Sequence, residues 1–363
     1  MKSSKILIAV FLVLLIAPMA VFPLLSGVID TDNHENRAYA DFPDLLEDPA
    51  GFAAGFDSWF NDRLPFKNQL KKVHSALNLA LFNTTSSARV VVGKQDWLFY
   101  NNYDAENPID DIMGKSFFTE EELALIPDNI RKACGKYESS GTRFVLMVPP
   151  NKETIYSELL PSWLEKEIAE ETRMDILFRR LENDGIGICY PKDALISEKE
   201  DHQLYYKYDT HWNKLGGYIG FRELCSFLGY DVPELSECEL FEDDEYPRDL
   251  AELSGMSSVY VDDREFTVNY NPGVTVSIER NEGYDVYQGN GPVDQTVLLV
   301  HDSYYESMID YFARTFSTVV EVPRNYSDLY GNNYLIEMYD PDIIVMEVVE
   351  RGAGILFRGD MPY

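Results

Sequence analysis

Residues 6–25 read ILIAVFLVLLIAPMAVFPLL, twenty positions without one polar side chain, and Lys2 and Lys5 stand just before them. A run of that length matches the hydrocarbon thickness of a bilayer, and the flanking lysines orient the short N-terminus toward the cytoplasm. The chain after Asp30 is therefore expected outside. A cleaved secretory signal has an apolar region of about 7–15 residues, so the length favours a retained anchor, with secretion as the alternative. Pro18 and Pro23 are compatible with a kinked spanning helix. From Pro49 to Phe82 the apolar positions (Phe52, Phe56, Trp59, Phe60) recur at helical spacing, broken at Pro65. Val90–Val92 and Trp97–Tyr100 read as short strands around a Gly93-Lys94-Gln95-Asp96 turn, and Thr119-Glu120-Glu121-Glu122 as a capped helix start.

Beyond residue 140 the rhythm becomes strand, then helix. Apolar β-type runs occur at 143–148, 187–190, 297–300, 317–322 and 343–349. Helical patterns occupy segments up to about 184, then 213–228 closed by Gly229, 306–316 and 332–338. This alternation predicts an α/β domain with a mainly parallel sheet and helices on both faces. Residues 231–265 break it with 13 acidic residues against two arginines, and 258–288 read as β-hairpin material. Glu242-Asp243-Asp244-Glu245 lacks the alternating spacing of an EF-hand loop, so a solvated insertion is expected rather than a calcium site. The expected division is an anchor at 1–29, a stem with N-terminal helices at 30–85, and the α/β domain at 86–363, with a β-rich insertion at about 231–290.

The whole chain of 363 residues carries a formal charge of -31. That charge argues against a nucleic-acid partner, because nonspecific binding depends on neutralising phosphates with Lys and Arg. The cysteines Cys134, Cys189, Cys225 and Cys238 contain no C-x-x-C pair, so no metal site is expected. A Cys225–Cys238 disulfide and buried free thiols both remain open. Asn83-Thr84-Thr85 and Asn325-Tyr326-Ser327 fit the glycosylation triplet, a pattern that chance produces easily.

Five histidines occur, at 34, 74, 202, 211 and 301. In an extended turn residues i and i+2 face the same way, so Asp209 can accept a hydrogen bond from the His211 imidazole and fix its tautomer. Capping of the following helix is the structural alternative for Asp209 or Asn213. Ser303 follows the apolar run Val297–Val300 and precedes a helix, the place where parallel sheets present functional groups. There its hydroxyl can act as a nucleophile and its amide can hold an oxyanion; the alternative is that Asp302-Ser303 merely caps the helix.

Asp209-Thr210-His211-Trp212-Asn213, followed about ninety residues later by a strand ending in Asp302-Ser303, resembles the DHHW family and the AlgX/AlgJ-like polysaccharide O-acetyltransferases. Glu35-Asn36-Arg37 with Phe42-Pro43, Gly93–Tyr100, Val148-Pro149-Pro150-Asn151-Lys152 and Pro341–Arg351 follow in the succession that this resemblance expects. It implies an SGNH-hydrolase-like, flavodoxin-like fold with permuted motifs, Asp–His preceding Ser. It also implies a Ser303–His211–Asp209 triad that moves an acetyl group to a polysaccharide hydroxyl, without a cofactor. Since acetyl-CoA is cytoplasmic, the implied donor partner is a polytopic membrane O-acyltransferase. The residues given after 351 are too few for the carbohydrate-binding module of some such proteins, so polymer binding is expected of the catalytic domain itself.

Asn151 and Lys152 are candidate donors to the oxyanion or the substrate, or pins for the following helix. Trp97, Tyr100, Trp212, Tyr304 and Tyr305 are candidates to stack on sugar rings or to fill the core. The family usually places glycine before Asp-Ser, whereas His301 stands here and either alters the approach to Ser303 or contacts substrate. An acetyl esterase and a non-catalytic glycan-binding or envelope-assembly protein are the competing functions.

Overall fold

The structure is a computed structural model describing residues 2–25, 27, 29, 38–46, 48–85, 87–102, 106–243, 247–324 and 332–358. Asp30, His34, the Glu35-Asn36-Arg37 stretch, Asp244 and Glu245 of the acidic run, and the Asn325-Tyr326-Ser327 sequon lie outside the described residues. The chain divides into two compact units, Met1–Val90 with Asp249–Val261, and Val91–Arg248 with Asp262–Tyr363. Part of the expected insertion, residues 249–261, thus groups with the N-terminal helices.

In the first unit the apolar run forms a helix, Lys2–Leu25, whose Ile6–Leu25 portion is long and apolar enough to cross a membrane. Helices Phe52–Asp62 and Lys67–Phe82 flank the break at Pro65. Phe42 packs edge-on to Trp59 at 5.0 Å, and the Ser75 hydroxyl donates to the Ser254 carbonyl at 2.7 Å.

The strands in chain order are β1 (Val90–Val92), β2 (Leu98–Tyr100), β3 (Arg143–Met147), β4 (Leu240–Asp243), β5 (Glu265–Val268), β6 (Val276–Arg280), β7 (Asp285–Gly289), β8 (Val293–His301), β9 (Phe316–Pro323) and β10 (Ile343–Glu347). The main sheet has the order β3-β10-β8-β9-β7-β6, parallel from β3 through β9 and antiparallel across β7 and β6. Alternate residues feed two cores. Val145, Val297, Leu299 and Val345 face one side with helix Lys214–Leu228 and Tyr311 and Phe312. Phe144, Leu146, Leu298, Val300 and Ile344 face the other, against helices Glu120–Glu138 and Arg173–Asn183. Each such fully buried aliphatic contributes about 1.5–3 kcal/mol, which explains why these strands read as continuous apolar runs.

The helix starts follow local chemistry. Thr119 and Glu122 form a reciprocal capping box, with Glu122 N–H on Thr119 Oγ1 at 3.2 Å and Thr119 N–H on Glu122 Oε2 at 2.7 Å. Two expectations need correction. Residues 187–190 make a single bridge, Met147 to Cys189, because Pro191 then turns the chain into helix Lys192–Glu198. The hairpin within 258–288 is no separate insertion: β7 pairs with β9 and buries Val286 and Tyr287, while the exposed β6 forms the sheet edge. All four cysteines are free, so the disulfide alternative falls away.

Candidate active site

The site lies at the carboxyl ends of the parallel strands. Strand β8 carries the chain up to Asp302, which caps the short 3-10 turn Ser303–Ser307 by accepting the Tyr304 N–H at 3.1 Å. Its other carboxylate oxygen accepts the Val349 N–H at 2.8 Å, and its own N–H reaches Glu347 Oε2 at 2.9 Å. Burial, reinforced by the neighbouring Asp302 charge, raises the Glu347 carboxyl well above the usual range and favours its protonated form. With Asp302 spent on capping, the adjacent Ser303 side chain is left exposed.

The second segment is a tight loop closed by the bridge between Tyr205 and Trp212. Asp263 accepts the Lys207 N–H at 2.6 Å and holds the loop from outside. Asn213, not Asp209, caps helix Lys214–Leu228, its Oδ1 accepting the Gly216 N–H at 3.0 Å. Asp209 is thereby released for His211: Asp209 Oδ1 lies 2.6 Å from His211 Nδ1 and also accepts the His211 N–H at 3.0 Å. His211 Nε2 lies 2.7 Å from Ser303 Oγ, across 92 residues of sequence. Asp209 is buried, and the His211 side chain is 23% exposed.

Tyr304, fully buried, joins the two segments. Its hydroxyl donates to the Thr210 carbonyl at 2.8 Å, its carbonyl accepts the Trp212 Nε1–H at 2.8 Å, and its ring lies 4.9 Å from that of His211. The Arg351 guanidinium approaches the Tyr304 hydroxyl at 3.3 Å and lies over the Tyr100 and Tyr304 rings. Neither link is signalled by spacing, because each partner is distant in sequence.

The structure places the weaker candidates for substrate contact inside the fold. Lys152 is 1% exposed and donates to the carbonyls of Leu98 (2.6 Å), Lys207 (2.9 Å) and Asp209 (3.0 Å), so its ammonium protons are committed to backbone. It supports the Asp209 loop from below. Trp212 is fully buried under the site, as are Tyr304 and Trp97, so these rings serve the core; Tyr100 and Tyr305 are partly exposed. His301 is 3% exposed and faces inward, with Nε2 2.5 Å from Glu321 Oε2 and Nδ1 2.9 Å from the Asp302 carbonyl. Asn151 is buried too. Its N–H donates to Glu350 Oε2 at 2.8 Å and its Oδ1 accepts the Arg351 N–H at 3.2 Å, while its Nδ2 meets no acceptor among the described residues.

Residues 90–257 match the sequence model of a family described as SGNH hydrolase-like domain, acetyltransferase AlgX. This stretch of the chain is similar to the AlgX-type SGNH hydrolase-like domain. The matched span includes Asp209 and His211 and ends before Ser303. A probable alginate O-acetylase AlgJ of Pseudomonas syringae pv. tomato is 25% identical over 191 residues, which is 51% of this chain and 44% of that relative. The chain thus spans less than half the length of this AlgJ. Among solved structures, a DHHW family protein from Eubacterium siraeum superposes with a TM-score of 0.52 at 17% identity, covering 73% of this chain and 97% of that one. Bacillus cereus PatB1 gives 0.51 at 12% identity, covering 73% and 96%. At these identities the structural likeness is one of fold, and it agrees with the α/β architecture expected from the strand–helix rhythm and with the SGNH-like fold that the resemblance implies.

Proposed function

We propose that this AlgX-type domain is a serine O-acetyltransferase that acylates hydroxyl groups of a polysaccharide outside the cytoplasm. One observation carries the reading: an unbroken line from Asp209 through His211 to an exposed Ser303 hydroxyl, with links of 2.6 and 2.7 Å. His211 Nε2 takes the Ser303 proton as Oγ attacks the acetyl carbonyl, and Asp209 orients the ring and stabilises the imidazolium. The tetrahedral oxyanion is met by the Ser303 N–H. Its collapse expels the donor's alcohol or thiol, which receives the proton from His211 and leaves acetyl-Ser303. A sugar hydroxyl then gives its proton to His211 and attacks the acetyl carbon; Ser303 leaves and is reprotonated.

The name of the AlgJ relative, a probable alginate O-acetylase, supports a polysaccharide acceptor. Helix Lys2–Leu25 is read as a membrane anchor, and the acetyl group as delivered by a polytopic membrane O-acyltransferase. The division into anchor, stem and catalytic domain belongs to the same proposal.

The test offers the detergent-solubilised full chain an activated acetyl ester, with and without an oligosaccharide acceptor. Acetylated oligosaccharide and an acetyl group on Ser303 are expected. Acetate released at the same rate regardless of acceptor makes the protein an esterase. Ser303→Ala with unchanged turnover removes the triad assignment.

A further inference from the structure

We propose that His301 is a positioning residue for this acyl transfer, holding the Asp302–Ser303 peptide so that the Ser303 N–H is presented to the oxyanion. The inference rests on the reading of Ser303 as nucleophile. His301 ends β8, and its ring nitrogens lie 2.9 Å from the Asp302 carbonyl and 2.5 Å from Glu321 on the neighbouring β9. A carbonyl oxygen only accepts, so Nδ1 carries a proton and donates it there. A further proton lies between Nε2 and the Glu321 carboxylate. Tyr305 covers the ring face, with centroids 3.4 Å apart. The imidazole is therefore fixed at both nitrogens and across one face.

The peptide that it grips joins Asp302 to Ser303. Cis peptide bonds are absent among the described residues, and in a trans peptide the C=O and N–H point in opposite directions. Anchoring the Asp302 carbonyl on a buried ring thus turns the Ser303 N–H away from that ring. Among the described residues this N–H meets no acceptor. It is a spare donor on the residue whose hydroxyl faces His211. A peptide whose carbonyl already accepts a hydrogen bond is also a more polarised donor at its nitrogen. His301 thus serves the reaction without touching substrate.

Two isosteres separate this role from mere support. In His301→Asn the amide nitrogen falls close to the place of Nδ1, keeping the bond to the Asp302 carbonyl and losing Glu321. In His301→Gln the amide nitrogen falls close to Nε2, keeping Glu321 and losing the carbonyl. The full chain in detergent and its His301→Ala, Asn and Gln variants are compared for acetylation of Ser303 by p-nitrophenyl acetate, labelling by a fluorophosphonate, and thermal midpoint. Ala is expected to lower kcat about tenfold with little change in KM, less than the 10²–10³ typical of deleting a direct oxyanion donor. Asn restores most of kcat while its midpoint stays low, whereas Gln restores the midpoint and leaves kcat low. Recovery of kcat in Gln, or an Asn variant as slow as Ala, overturns the positioning role. Equal rates in all four proteins with Ser303 labelled overturn it and leave the triad standing. A wild-type protein that the fluorophosphonate does not label at Ser303 defeats the nucleophile reading itself.

Discussion

His211 and His301 each bring one ring nitrogen to a buried carboxylate, at 2.6 Å for Asp209 and 2.5 Å for Glu321. They differ in what the other nitrogen meets. For His211 it is the hydroxyl of an exposed serine, a group that can give up a proton and regain it. For His301 it is a backbone carbonyl, which can only receive a hydrogen bond. A histidine–carboxylate pair is therefore not a catalytic signature by itself; the partner of the second nitrogen separates proton transfer from positioning. Burial runs in parallel, since the His211 side chain keeps 23% of its surface open and that of His301 keeps 3%.

The comparison breaks most visibly on rate. His211→Ala is expected to lower acetylation of Ser303 by about 10⁴-fold while shifting the thermal midpoint little, the balance typical of a lost general base. A loss below about tenfold for His211→Ala would assign the proton transfer elsewhere. Asp209→Asn keeps the shape and changes the charge, and should cost about 10⁴-fold in kcat with nearly native stability. His301→Ala inverts the pattern, since Glu321 loses its buried partner. Chemical denaturation should show a loss of about 3 kcal/mol, and a midpoint equal to wild type would mean that the Glu321 contact carries no stability.

Lys152→Met sharpens the comparison from beneath. It orphans the carbonyls of Leu98, Lys207 and Asp209 and should destabilise the fold by about 2–3 kcal/mol. The last test concerns a carboxyl with no imidazole at all. Glu350 accepts the Asn151 N–H and the Thr154 hydroxyl, and burial pushes it from 4.5 up to about 7. The folded chain thus retains a proton that the unfolded chain has released, so stability falls as pH rises from about 4.5 to 7, by at most about 3 kcal/mol. Glu350→Gln should flatten that part of a stability-versus-pH curve. Asp111, pushed up to about 6 by burial, adds a somewhat smaller fall of the same sign at lower pH. An unchanged curve in the Gln variant would place the titration elsewhere.

What could be read in advance follows the range of the interactions. The Val297–Val300 strand and the Thr119 cap are local, and so is the two-residue step from Asp209 to His211. Ser303 was legible because a strand running into a helix is a local pattern with a fixed place in a parallel sheet. Lys152 was not, since its ammonium is satisfied by carbonyls 54, 55 and 57 residues away. Nor was the inward pairing of His301, for the same reason: Glu321 becomes its neighbour only after β8 and β9 pair. The length of β8 was underestimated as well. Its polar start pairs less regularly, with a register shift between Val293 and Thr296, and Asp342 supplies an acceptor for the Thr296 N–H.

The strand order also imposes a chronology. Strand β10 lies between β3 and β8, although it is the last strand among the described residues. During synthesis His211 emerges well before Ser303, and Ser303 well before the segment that joins its strand to β3. Until that late segment arrives, the sheet is two separate pieces, and contacts of such sequence separation are slow to form. The protein would thus bring Ser303 and His211, the proposed nucleophile and base, together near the end of folding, and a nascent chain stopped before residue 343 should hold both groups without reactivity.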